Sequence, residues 1–327
     1  MGFDPTTLRR DDYGFFGPGS PSWKVWTAPT ALIGFQRAVV LEHFDPFLTA
    51  AVADSRGIYA EPRRRLDNTL AYFLIVAVGD GRTAIQASEH LMRVHASMTG
   101  IEPISGKRYA ANNPESQLWI HVTGWHSVLK AYEMFGPGLT PEEEDRYWAE
   151  CGIAAELQTC KRGDVPRSRE EVRAYFDRVR SQLCSSERAE QGMHHLLFTP
   201  YGNGAGLPFA IGSRLLALAS IATLPKWMRT LGDFDRPGIV DAAVKPLARA
   251  LVWAFTRFGS YGFVKAGRFI APMTAKLLEQ HLKTGEPTLR ETITPARARE
   301  LYSLRAPVGE PAGYPGGDWV ARSVQSA

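Results

Sequence analysis

Cysteine is scarce in this chain of 327 residues: Cys151, Cys160 and Cys184 are widely spaced and odd in number. No C-x-x-C occurs, which excludes a zinc knuckle and a disulfide framework and fits a reducing compartment. Charge of one sign is lacking too. Thirty-eight Lys and Arg stand against 34 Asp and Glu, and the net +4 is too slight and too dispersed for a nucleic-acid surface. The first stretch, MGFDPTTLRRDDYGFFGPGSPSW, has no apolar core of the kind a secretory signal needs, so a cytoplasmic location is expected. The run AGLPFAIGSRLLALASIATL is long enough to raise a membrane span. Arg214, Pro208 and Gly212 interrupt it, so a buried helix and no transmembrane span are expected. Strand-like alternation, a 20–50-residue repeat, a Ser/Gly-rich linker, a Rossmann fingerprint, a P-loop and a nucleophile elbow are all missing.

What is present is helical. The apolar fraction is 44% and the charged fraction 22%, values of an ordinary globular protein large enough to bury a core without staples. The expectation is an all-α fold: one large helical domain over residues 29–305, preceded by an extended arm over 1–28 and followed by an irregular tail over 306–327. Apolar residues recur at helical spacing from Thr30 to Ala53, with a break at Asp45-Pro46. Gly100 reads as a helix stop, Ile101 to Asn113 as a loop, and Pro114 as the opening of a helix. Thr140-Pro-Glu-Glu-Glu and Ser168-Arg-Glu-Glu are capped starts, the second leading toward Cys184. Val240 to Phe258 reads as an amphipathic helix.

Arg63 to His126 holds the concentration of chemistry. Arg65 and Thr69 are one turn apart, so both point from one face of a helix. That helix ends at Gly79-Asp80-Gly81. A second helix is closed by His95, and a third carries His121. Leu70, Phe73, Leu74 and Val76 fill the space between, and polar groups converging on apolar helices indicate a built pocket. R-L-x-x-T, R-V-H-A-x-x-x-G and G-x-x-Y-x-A-x-x-P-x-x-x-x-W-I-H-x-T occur in that order. Together they resemble the haem-b oxygenases grouped with latex-clearing protein (rubber oxygenase) and the MpaB-type oxygenase. The resemblance runs from about Gln36 to about Leu251.

The resemblance implies a haem crevice between helices, with non-covalent haem b as the iron cofactor; C-x-x-C-H, needed for c-type attachment, is absent. It implies O2 and an apolar small molecule as partners, with oxidative alkene cleavage, hydroxylation and dehydrogenation as candidate reactions. His95, in R-V-H, falls on the axial ligand position. His121 is the rival ligand, and bis-histidine ligation or a propionate contact by His121 stays open; Thr123 belongs to the same pocket motif. Arg65 and Thr69 match the distal pair. The bland alternative for Arg65 is an ion pair with Asp67 or Glu61, and for His95 a helix-end histidine bonded to a carbonyl. Rubber oxygenases carry a lysine just before the threonine; here Asn68 stands there, which implies an open or water-bound distal side. Asp45 occupies a His-Pro position shared by many relatives. His126 reads as a satisfied histidine, His194-His195 as a divergent pair, and His90 and His95 as too far apart for a zinc motif. A haem carrier or sensor, or a cofactor-free helical scaffold, are the competing readings. Oligomeric state is not legible.

Overall fold

A computed structural model describes residues 6–55, 57–202, 206–257 and 259–304. The tail expected over 306–327 lies outside the described residues. Sixteen helices carry the described chain: α1 (Pro21–Trp26), α2 (Ala31–Glu42), α3 (Pro46–Asp54), α4 (Gly57–Ala60), α5 (Pro62–Val78), α6 (Gly81–Ala96), α7 (Pro114–Phe135), α8 (Pro141–Ala155), α9 (Arg169–Val179), α10 (Glu187–Leu197), α11 (Leu207–Thr223), α12 (Lys226–Leu231), α13 (Gly238–Arg257), α14 (Ser260–Ile270), α15 (Pro272–Lys283) and α16 (Pro295–Leu301). The fold is all-α, with one small hairpin of β1 (Thr99–Ile101) and β2 (Arg108–Ala110).

Local chemistry sets most boundaries. Pro46 stops α2 from running on, and Asp45 caps α3 by accepting the Leu48 N–H at 2.7 Å. Asp80 does the same for α6 through Thr83 N–H at 2.8 Å, which separates α5 from α6 at the Gly79 break. Asn113 caps α7 with Pro114 in its first turn, and Thr140 and Glu143 form a complete capping box on α8.

Several expectations are corrected. The loop expected over Ile101–Asn113 holds β2 of an antiparallel hairpin in register Gly100↔Tyr109, turned by Gly106 at φ +69°. Gly100 is no helix stop: α6 already ends at Ala96, and a Cβ on Gly100 would lie 2.7 Å from the Tyr109 ring. The helix opened at Ser168 does run toward Cys184: it ends at Val179, and a 3-10 turn over Arg180–Gln182 carries it on. The N-terminal segment is more than an extended arm, since it carries α1 and drives Phe16 and Trp26 into the core.

The centre is aromatic. Trp26 stacks on Phe73 with centroids 5.2 Å apart, while Trp125 meets Trp26 edge-on at 5.6 Å and Phe16 at 5.9 Å. Around this centre α2 lies along α7 at unusually close approach. A Cβ on Gly34 would come within 2.4 Å of Val128 Cα and 2.7 Å of the Ser127 carbonyl, so only a hydrogen fits. On the other side Asp67 of α5 accepts the Met273 and Thr274 N–H groups at 2.8 Å each, pinning α15 to α5.

Candidate functional site

Arg65 leaves the first turns of α5 and is half-buried. Neither expected acid holds it: Glu61 pairs with Arg64, and Asp67 is committed to α15. Its guanidinium donates to Ser55 Oγ at 3.4 Å, and among the described residues it has no carboxylate within 4.0 Å. Burial lowers its pKa, opposed by the charge of Glu42 at the end of α2. The Glu42 carboxyl is itself pushed up to about 8 by burial, against the pull of Arg65. His43 and His95 are both held down to about 4, by burial first and, adversely, by Arg65. One arginine is therefore the shared electrostatic neighbour of Glu42, His43 and His95.

Thr69 is half-buried one turn along, but its hydroxyl donates to the Arg65 carbonyl of its own helix at 3.0 Å. Its oxygen lone pairs remain free to accept. His95, in the last turn of α6, has Nδ1 3.2 Å from the Gln117 side-chain nitrogen, which also donates to the Ala111 carbonyl at 2.5 Å. With Gln117 so oriented, Nδ1 accepts and the ring proton sits on Nε2.

His121 and Thr123 are elsewhere. His121 is 1% exposed and faces α8, where Nε2–H donates to the Cys151 carbonyl at 2.8 Å; its Nδ1 is buried without a partner. Thr123 is fully buried and donates back to the Trp119 carbonyl at 2.6 Å. The fold thus gathers Arg65, Thr69 and His95, and sets His121 and Thr123 in the packing behind them. His126 contacts Arg37 through Nδ1 at 3.2 Å and packs on Phe176. His194 stacks on Phe234 and His195 meets the Tyr59 ring at a tilt, so the doublet diverges.

Glu42, His43 and Gln117 are the residues that sequence reasoning missed. Only the position of Glu42-His43 just ahead of the Asp45 cap hinted at a place beside a helix start. A cavity of about 1250 Å³ opens on the far side of Trp119, between the hairpin, the start of α7 and α9. Its walls include Phe47, Leu118, Trp119, Val165 and Tyr175, with Lys107, Arg108 and Arg178 also lining it. Arg65 and His95 do not line it. Trp119 is the link: its indole N–H reaches the Glu42 carbonyl at 3.4 Å.

Among the described residues no three His, Cys, Asp or Glu side chains are grouped to hold a metal ion. A macrocycle iron makes no such demand, because the cofactor supplies four of its ligands and the protein needs one imidazole. His95 is neutral, half-buried and beside a cation, and this donor set fits that requirement once the ring proton moves to Nδ1.

Residues 23–258 match the family described as ER-bound oxygenase mpaB/B'/Rubber oxygenase, catalytic domain. No curated protein and no solved structure matches the chain. The match spans most of the sequence and contains every motif residue from Arg65 to Thr123, and the chain belongs to the MpaB/rubber-oxygenase catalytic-domain family.

Proposed function

We propose that the protein is a haem-b-dependent oxygenase that acts with O2 on an apolar small molecule. The observation that carries this reading is a neutral imidazole, His95, with a half-buried guanidinium, Arg65, as its electrostatic neighbour, which among the described residues has no carboxylate within 4.0 Å. Haem b, when bound, supplies the redox-active iron for reaction with O2. His95 would hold the iron through Nε2, with the Gln117 amide turned so that its oxygen accepts the proton on Nδ1. Arg65 cannot shed its charge to suit burial, so it must face an anion: a propionate, or negative charge developing on oxygen in the crevice. Thr69 accepts a hydrogen bond beside it. The aromatic walls of the neighbouring cavity would receive the apolar substrate, with Trp119 between that cavity and the crevice.

An absorption spectrum of the purified full chain, expressed with a haem precursor, tests the reading. A Soret band at about one haem per chain is expected. A folded preparation that takes up no haem on reconstitution overturns it and favours a cofactor-free role.

A further inference from the structure

The run that suggested a buried helix is a surface helix. On α11, Leu207, Ile211, Leu215 and Leu218 are 56%, 51%, 64% and 38% exposed, and their spacing puts them along one face. The opposite face, with Ala217 and Ile221, is in the core, which is why the sequence reads as apolar all round. Leu247 and Leu251, one turn apart on α13, are 71% and 56% exposed. These helices form one layer with α14. Gly212 of α11 lies so close to Ile270 of α14 that a Cβ would stand 2.9 Å away, and Phe255 of α13 meets Phe263 of α14 at 5.8 Å.

The same layer is basic. α11, α13 and α14 carry Arg214, Lys245, Arg249, Arg257, Lys265 and Arg268 against a single acid, Asp241. Asp241 is already bridged by Arg229 and Arg236. Among the described residues Lys245, Arg257 and Lys265 have no carboxylate within 4.0 Å. Arg268 pairs with Glu279 of α15. Exposed leucines on a layer whose cations outnumber its acids match an anionic, apolar-centred surface.

We propose that this face seats the protein on an anionic phospholipid membrane, with the leucines entering the interfacial layer and the cations meeting headgroups. The attachment proposed is peripheral; no helix among the described residues is long and apolar enough to cross a membrane. A second copy is the poorer occupant, because a twofold contact would press one basic layer against another. The proposal stands apart from the haem reading and is tested without turnover.

The test is co-sedimentation of the full chain with vesicles of phosphatidylcholine alone, or with about 30% phosphatidylserine. Wild-type protein should pellet with the anionic vesicles, and less as salt rises. The double variant Leu215→Glu/Leu247→Glu should lose binding while melting like wild type, since both side chains already stand in water. Lys245→Gln and Lys265→Gln should each weaken binding roughly fivefold. Equal pelleting with both vesicle types, or a Leu215→Glu/Leu247→Glu variant that pellets like wild type, overturns the proposal. So does a wild-type dimer that the leucine variant splits, which assigns the face to a second copy. A monomer that ignores both vesicles also overturns it and points to the chain's own residues 305–327 as the cover.

Discussion

The side-chain nitrogen of Gln117 lies 3.2 Å from Nδ1 of His95 and is anchored by the Ala111 carbonyl. As it stands this contact leaves the ring proton on Nε2, so His95 as the proposed iron ligand needs the Gln117 amide turned to accept from Nδ1–H. Gln117→Glu supplies an acceptor for Nδ1–H and should slow haem loss. Gln117→Leu leaves the ring unoriented and should speed haem loss roughly tenfold to hundredfold. Transfer of haem to an excess of an apo-globin reads both rates. Identical rates in the two variants would remove Gln117 from the site.

His95→Ala and His121→Ala should separate cleanly. The first removes the proposed ligand from a half-buried position, so haem retention falls while the cofactor-free protein melts near wild type. The second empties a space between α7 and α8 and strands the Cys151 carbonyl, so stability drops by about 2–4 kcal/mol while haem is kept. Denaturant melts and Soret absorbance of the two variants decide. The reverse pattern would transfer the axial role to His121.

Arg65→Ala should keep haem content but slow O2 consumption. Losing one charge-assisted contact in the crevice costs on the order of 1.5–3 kcal/mol, roughly tenfold to hundredfold in rate. Arg65→Lys should rescue only in part, because an ammonium lacks the planar fork. If Arg65→Ala instead loses haem, the arginine anchors a propionate.

Stability should fall on the acid side. His43 and His121 are held down to about 4 by burial, from an ordinary 6.5. Their contribution is complete above pH 6.5, where both states are neutral, and is lost as pH falls toward 4 because the unfolded chain takes up protons first. Each represents on the order of 3 kcal/mol. Glu42 acts in the opposite direction: its carboxyl, raised to about 8, weakens the fold as pH climbs from 4.5 through 8. Urea midpoints between pH 4 and 9 should therefore peak near neutrality, and His121→Gln should flatten the acid limb.

Gly34→Ala should be among the most damaging single substitutions. The new methyl would meet backbone atoms of Val128 and Ser127, which cannot rotate away as a side chain would. Forcing α2 from α7 costs on the order of 3 kcal/mol or more. Gly163→Ala, where a Cβ would meet nothing within 4 Å, is the control for glycine replacement as such.

Sequence alone determined the helical class and most helix starts, because caps and prolines act within a few residues of themselves. Asp45, Asp80, Asn113 and Thr140 each satisfy N–H groups two or three positions on. The order of the three motifs likewise carried the family without any contact between them. What lies far apart in the chain was decided only by tertiary structure. Whether Arg65 pairs with Asp67 could not be read locally, since Asp67 is claimed by Thr274, 207 residues away. The same holds for Glu42 and His43 beside Arg65, and for the hairpin that closes Gly100 under Tyr109. The two faces of α11 look alike in sequence because both are apolar. Only the packing of α2, α10, α13 and α14 against one of them leaves the other in water.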